Sequence, residues 1–352
     1  MTSIPTITLR QDYQIPRVIR GGWQLSGDHG AVDRQRAIDD IVGFYDAGLT
    51  CFDCADIYTG VEEIYGAGLQ NLANARGADA ADKVKIHTKY VPDRSTLASV
   101  SRSDTRAIIT RSLQRLGRER LDLVQFHWWD YAVSGMMDVV GYLADLQAEG
   151  LIDQIGVTNF DHHHVIQIAN QVDLVSAQVQ YSVLDQRPAR DFSTAAAAHN
   201  VHLICYGVLA GGFLTDAWLG RPDPGFDFEN RSLVKYRLII EEFGGWARFQ
   251  ELLQIMRSIA NRHDTDIAAV AARLMLENPK TGALIVGARY ARHLPRLLNM
   301  FTFSLSDEDH RQIADVQRQA PGPSGDVYAL ERDADGIHGR IMKYDLNAGE
   351  HA

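Results

Sequence analysis

The sequence has little cysteine: three residues in 352, too few for a disulfide framework, so a reducing cytoplasm is the expected setting. It has no basic run and carries a formal charge of −10, which excludes the cationic surface that nucleic-acid phosphates need. No uncharged apolar stretch reaches transmembrane length, and the opening Met-Thr-Ser-Ile-Pro lacks the charged-then-apolar pattern of a secretory signal. Neither a membrane nor nucleic acid is therefore expected as a partner. A G-x-G-x-x-G fingerprint is also missing after the first predicted strand, which argues against a doubly wound dinucleotide domain. What is present is a chain 45% hydrophobic and long enough to bury a large core.

Its apolar runs are short and alternate with helical patterns. Strands are expected at about 18–24, 49–53, 84–90, 121–127, 152–157, 174–180, 201–206 and 282–286. Between them, Ile38, Ile41, Val42 and Tyr45 follow helical spacing up to Gly48. Ile109, Leu113 and Leu116 do so up to Gly117, and Val140, Leu143 and Leu146 up to Gly150. Eight strands in β-α alternation point to a closed (β/α)8 barrel, one domain over residues 1–352. Ahead of it, Thr6–Arg10 and Tyr13–Pro16 flank a turn at Gln11 and Asp12, a hairpin placed to cover the barrel floor. About 75 residues separate the last two strands and include the Gly/Pro-rich 220–225; insertions of that length in a barrel fall on the catalytic face. The tail, about 317–352, opens with a poor helix former at 320–325 and either folds over the mouth or hangs loose.

Asp53, Lys89 and His127 each end one of these runs, and Tyr58 follows Asp53 by five residues. In a parallel barrel the four meet at one end of the sheet, where barrel catalysis resides. A phenol, an ammonium, a carboxylate and an imidazole together suit proton delivery to a carbonyl oxygen. A free tyrosine, with pKa about 10, is a poor acid near neutrality. A neighbouring ammonium lowers that value, which is the task suited to Lys89, with Asp53 holding it charged. His127 is placed to donate a hydrogen bond to the carbonyl oxygen. No side chain donates hydride, so a nicotinamide is required.

Phe52-Asp-Cys-Ala-Asp-Ile-Tyr58, with Thr-Lys89 and Phe-His127 at the expected places, resembles the F-D-T-A-x-x-Y pattern of the aldo-keto reductase superfamily. The resemblance runs from the hairpin to about residue 316. It implies Tyr58 as general acid, Lys89 and Asp53 as its tuning pair, His127 as substrate orienter, and NAD(P)H laid across the barrel mouth. Gly156-Val-Thr-Asn-Phe160 is similar to the family's G-x-S-N-F, so Thr158, Asn159 and Gln178 would hold the carboxamide and Tyr206 would stack on the nicotinamide. Gly22, Trp23 and Asp53 join that cofactor set. Gly207 and Leu209 through Gly212, Gly211 among them, would follow the pyrophosphate. Gly287 and Arg289 resemble the start of the adenosine segment, with Arg289 set to pair a 2′-phosphate, so NADPH is the expected cofactor and NADH the alternative. Two departures stand out: Leu294–Leu298 replaces the Glu-Asn pair common in the family, and Tyr58-Thr-Gly-Val-Glu62 replaces Tyr-Gly-x-Ser-Glu.

Trp23, Tyr90 and Trp128 are the expected walls of a small-molecule pocket, with only one of Trp128 and Trp129 facing it. Cys51 and Cys54 match C-x-x-C, but positions three apart in a strand point to opposite faces, so packing is the reading. Asp161 reads as an N-cap before His162, His163 and His164, which point about 100° apart on a helix and cannot easily share an ion; no metal is expected. The leading expectation is an NAD(P)(H)-dependent carbonyl reductase. Its rivals are a sugar or alcohol dehydrogenase working oxidatively, a nicotinamide-sensing binding subunit and a cofactor-free barrel isomerase or lyase. The oligomeric state is not legible.

Overall fold

Thr6–Arg10 (β1) and Tyr13–Pro16 (β2) pair antiparallel across the expected turn, where Gln11 takes φ 39°. In this computed structural model, which describes residues 4–347, eight further strands follow. They are Val18–Gly21 (β3), Cys51–Asp53 (β4), Lys85–Tyr90 (β5), Leu121–Phe126 (β6), Ile152–Thr158 (β7), Leu174–Gln180 (β8), His202–Tyr206 (β9) and Thr281–Gly287 (β10). Every neighbouring pair is parallel, and the ring closes in the order β10-β3-β4-β5-β6-β7-β8-β9. This is the (β/α)8 barrel. The first strand is shorter than expected: Gly22 donates its N–H to the Asp53 carbonyl at 2.7 Å, and Trp23–Leu25 turn away as a 3-10 segment.

The helices form where the periodicity places them. Arg34–Asp46 is capped by Asp33, whose side chain accepts from the Arg36 N–H, and buries Ala37, Ile41 and Phe44 at i, i+4 and i+7. Arg102–Leu116 begins at a Ser101/Asp104 capping box and stops at Gly117, whose φ of 62° needs the residue without a Cβ.

Leu9, Tyr13 and Ile15 of the hairpin pack onto the inward residues Ile19, Cys51, Leu123, Val175, Ile204 and Ala283. The floor is thus closed by apolar side chains. One polar group sits among them: His87, whose Nε2 lies 3.1 Å from the Tyr13 hydroxyl and 3.4 Å from Cys51 Sγ. Burial, then the Lys89 and Lys85 ammonium groups, push this imidazole down to about 3. Below pH about 6.5 the unfolded chain takes up a proton that the folded one refuses, so this site removes about 1.4 kcal/mol of stability per pH unit until the folded value is reached. His87→Gln keeps a partner for Tyr13 and should lose that slope. Urea midpoints at about pH 6 and about pH 5 check it; equal slopes in the two proteins would refute it.

Beyond β9 the chain makes its long excursion, with helices at Arg231–Phe243, Gly245–Arg262 and Ile267–Glu277. Phe213, Ile240, Phe249, Leu252, Met256 and Ile313 give this region a second apolar cluster beside the barrel. After the helix Asp307–Gln319 the tail crosses the mouth. Glu331 accepts from Arg187 at 2.9 and 3.0 Å, and Arg187 also grips Asp185, all three fully buried. Asn347 donates its side-chain amide to the Val91 carbonyl at 2.9 Å and its backbone N–H to the Asp93 carboxylate at 2.8 Å. The tail therefore folds over the barrel rather than hanging loose; residues 348–352, like residues 1–3 of the segment read for a signal, lie outside the described residues. Among the described residues no helix is long and apolar enough to cross a membrane.

Candidate active site

Asp53 is the last residue of β4, Lys89 the penultimate residue of β5, and His127 follows β6 directly. Side chains alternate along a strand, so these three point inward at the C-terminal end of the barrel. Lys89 Nζ lies 2.9 and 2.8 Å from the two Asp53 carboxylate oxygens and donates to the Cys54 carbonyl at 2.7 Å. The same ammonium stands 4.9 Å from the centre of the Tyr58 ring. Gln178 and Gln125 donate to Asp53 Oδ1 at 2.6 and 3.2 Å, so the carboxylate is held on three sides. All four predicted residues line one cavity of about 670 Å³ at the mouth.

Burial works against the Lys89 ammonium, but the groups beside it, Asp53 first among them, together outweigh burial and hold the group above the ordinary lysine value. For Tyr58 the balance differs from expectation. Burial pushes the phenol up, Lys89 opposes this, and the net direction is upward. Tyr58 is therefore a neutral phenol around neutrality. His127 Nδ1 is 2.9 Å from the Thr158 carbonyl oxygen, and burial followed by the Arg332 charge lowers the imidazole to about 3.

The residues expected to hold the cofactor, Gly22 excepted, fall along the same cavity. Trp23 lines it, with its ring 4.8 Å from that of Tyr58. Thr158, Asn159, Gln178 and Tyr206 follow from β7 to β9, and Tyr206 donates to Asn159 Oδ1 at 2.8 Å. Asn159 takes φ 61°, a conformation asparagine tolerates. Gly207, Leu209, Gly211, Gly287 and Arg289 complete the lining on that side, and Arg289 donates to the His29 carbonyl at 2.6 Å.

Three assignments are corrected. Gly22 does not line the cavity: a Cβ there would stand 2.6 Å from the Asp53 carbonyl, so this glycine serves close packing, and Gly21 faces the cavity instead. Tyr90 and Trp128 are buried on the helix side of the barrel, where Tyr90 meets Thr105 Oγ1 at 3.2 Å and Trp128 donates to the Val133 carbonyl at 3.2 Å. Each follows an inward residue by one place and so points outward. The tryptophan at the cavity is Trp129, edge-on to His127 at 4.4 Å between ring centres.

Other cavity residues escaped the sequence reading. Lys235, on the inserted helix 231–243, lies 4.7 Å over the Tyr206 ring, and burial lowers its ammonium to about 8. Ser232 accepts from the Trp23 indole at 2.8 Å, which ties that helix across the mouth. Tyr328, Met342 and Leu346 reach in from the tail. Gln125 does not line the cavity but holds Asp53 from within the barrel, and it was findable, since it lies two residues before His127 on the same face. Asp161 caps the helix as expected; His162 meets Asp326, His163 lies against the His162 ring at 3.9 Å between centres, and His164 stacks on Tyr131. Cys51, Cys54 and Cys205 are buried free thiols.

A parallel eight-stranded barrel with ionisable groups gathered at the C-terminal mouth defines a barrel enzyme. Comparison with known proteins narrows the class. The Aldo/keto reductase family profile matches residues 17–318. The NADH-specific methylglyoxal reductase of Escherichia coli is 24% identical over 329 residues, spanning 88% of this chain and 96% of that one. An aldo-keto reductase of Bacillus subtilis is 24% identical over 304 residues, 84% of this chain and 88% of its own. The solved glycerol dehydrogenase of Gluconobacter oxydans superposes with a TM-score of 0.73 at 22% identity, covering 92% of this chain and 98% of its own. The chain belongs to the aldo/keto reductase family and is an oxidoreductase of that family.

Proposed function

We propose that the protein interconverts a carbonyl and an alcohol with NADPH, Tyr58 serving as proton donor in reduction and acceptor in oxidation. The observation that carries this reading is the buried Lys89–Asp53 pair beneath Tyr58 in a single large cavity. Relatives named as a methylglyoxal reductase and an aryl-alcohol dehydrogenase support the reaction type. The free thiols support a cytoplasmic location.

The residues present fit a nicotinamide dinucleotide. Among the described residues Thr158 Oγ1 is buried without a partner, beside the Asn159 amide, and both suit a carboxamide. Gly207 and Gly211 line the cavity at the turn after β9 with φ 72° and 65°, packed so closely on Tyr236 that a Cβ on either would strike it, and Lys235 adds positive charge there. Arg289 and Arg292 line the far end and suit a 2′-phosphate. When bound, the cofactor would supply the hydride.

The remaining work falls to side chains. Tyr58 gives its proton to the carbonyl oxygen, the Lys89 ammonium stabilises the phenolate left behind, and Asp53 keeps that ammonium charged and in place. Trp129, Tyr328 and Met342 shield the reacting centre from water.

Calorimetric titration with NADPH and NADH, followed by turnover on a panel of aldehydes, ketones and sugars, tests the reading. NADPH should bind more tightly, and Arg289→Ala should weaken it about 10- to 100-fold while leaving NADH nearly unchanged. Tighter binding of NADH would overturn the cofactor assignment, and failure to bind either would overturn the function.

A further inference from the structure

The loop that carries Tyr58 is tied to its neighbour by a side chain two residues before the phenol. Asp56, fully buried, accepts from the Val91 N–H at 3.1 Å and from the Ile57 N–H at 2.9 Å. Its own N–H reaches the Lys89 carbonyl at 3.3 Å. The carboxylate thus spans the seam between the residues after β4, which bear the phenol, and the end of β5, which bears the ammonium. Asn347, at the far end of the described tail, sits on the same seam. Its amide donates to Asp56 Oδ2 at 3.3 Å and to the Val91 carbonyl at 2.9 Å, and its Oδ1 accepts from Arg111. Both amide hydrogens and the amide oxygen are therefore engaged. Between this anchor and the other one, Glu331 on Arg187, the tail lays Ile341, Met342 and Leu346 along the cavity.

The Asp56 carboxyl is finely balanced. Burial pushes it up to about 7 and Glu62, on the helix Val61–Arg76, adds to the rise; the Val91 N–H, the Asn347 amide and Arg111 oppose it. The other charged or titratable groups around it are Arg115, Tyr90 and Asp93. Arg115 donates to the Asp56 carbonyl at 3.2 Å and pairs with Glu62, Tyr90 faces it from β5, and Asp93 holds the Asn347 N–H. Three donors converge on the carboxylate, and each needs an acceptor. A proton there sets an O–H against one of them. The Val91 and Ile57 N–H groups are fixed by the barrel backbone, whereas the amide makes the longest of the three contacts and belongs to the tail. The amide is the one that yields.

We propose that Asn347 is a positioning residue for proton transfer: it clamps the tail over the cavity and the Tyr58 loop against the end of β5 while Asp56 is ionised, and lets go when Asp56 takes up a proton. This assignment rests on Tyr58 as the proton donor and adds a control over it. Clamped, the tail keeps water from the reacting centre and the phenol keeps its approach to the carbonyl oxygen. Released, both are lost. The carboxyl is about nine-tenths ionised at about pH 8 and about one-tenth at about pH 6, so the clamp holds on the alkaline side of neutrality and opens on the acid side.

Two measurements decide it. Amide hydrogen exchange of the protein alone, corrected for the intrinsic effect of pH, reads the clamp without any turnover. Residues 340–347 should exchange about 10-fold faster at about pH 6 than at about pH 8, and in Asn347→Ala they should exchange fast at both. Wild-type exchange that does not change with pH overturns the proposal. The second measurement is kcat at saturating cofactor on any carbonyl that the protein reduces. Asn347→Ala should lower it about 10-fold at about pH 8 and less than about 2-fold at about pH 6, where the wild type has released its own clamp. An equal loss at both pH values, or none at either, would make Asn347 a structural tie and sink the proposal while the reductase reading stands. Absence of turnover on every carbonyl with either cofactor would instead sink that reading, and the exchange rates would still decide the clamp.

Discussion

Tyr58→Phe is expected to lower kcat by about 10²- to 10⁴-fold with cofactor affinity almost unchanged. The substitution removes one hydroxyl and leaves the ring in place against Trp23, 4.8 Å between centres, so the walls of the cavity persist. The loss would be confined to the proton that reaches the carbonyl oxygen. Because burial outweighs Lys89 at this phenol, Tyr58 is protonated through the neutral range. The reductive rate should therefore be flat in pH there as far as this group is concerned, and fall only where the phenol ionises. The oxidative rate should have the opposite trend and rise with pH, since a neutral phenol cannot accept a proton. Single-turnover rates alongside direct cofactor titration check both limbs. Wild-type turnover in the variant would move proton donation elsewhere in the cavity, with the Tyr328 hydroxyl as the first group to replace.

The barrel was legible because its signals are local. Each strand is a short run rich in apolar residues, and helices such as Arg102–Leu116 end at a glycine. The boundaries of β6 through β9 shift by at most a residue. The meeting of Asp53, Tyr58, Lys89 and His127 in one cavity was legible for the same reason: three strand ends and one spacing of five. What failed was the neighbour. Tyr90 and Trp128 adjoin Lys89 and His127 in sequence, but the alternation of a strand puts adjacent residues on opposite faces, so neither is a wall of the cavity. Gln125 and Trp129, each two places from His127, are the residues that alternation selects. The tail and the insertion could be placed only coarsely, at the catalytic face, and not contact by contact. Glu331 meets Arg187 across 144 positions, and Ser232 meets Trp23 across 209. No local pattern encodes pairings of that kind, and so Tyr328 and Lys235 entered the site only with the fold.

Lys89→Met should damage both stability and catalysis, and the two losses can be separated. Lys89 and Asp53 are each about 95% shielded, with side-chain exposures of 5% and 5%. Removing one partner leaves the other charge stranded, with only the Gln125 and Gln178 amides to meet it. A broken buried pair of this kind costs about 3–5 kcal/mol. The folded-state value of Lys89 is raised, so its contribution is fully present below the unfolded lysine value of about 10.4 and is lost only as pH rises through the folded one. Urea unfolding near neutrality therefore registers the whole effect. The companion variant Lys89→Met with Asp53→Leu removes both charges and should recover most of that stability, because an apolar pair of similar volume asks for no desolvation. It should not recover turnover. Without the ammonium nothing opposes the burial that holds the Tyr58 proton, and the phenolate has no counter-charge in the transition state. A double variant that regained activity along with its unfolding midpoint would reduce the pair to a structural staple, and proton transfer by Tyr58 would then owe nothing to Lys89.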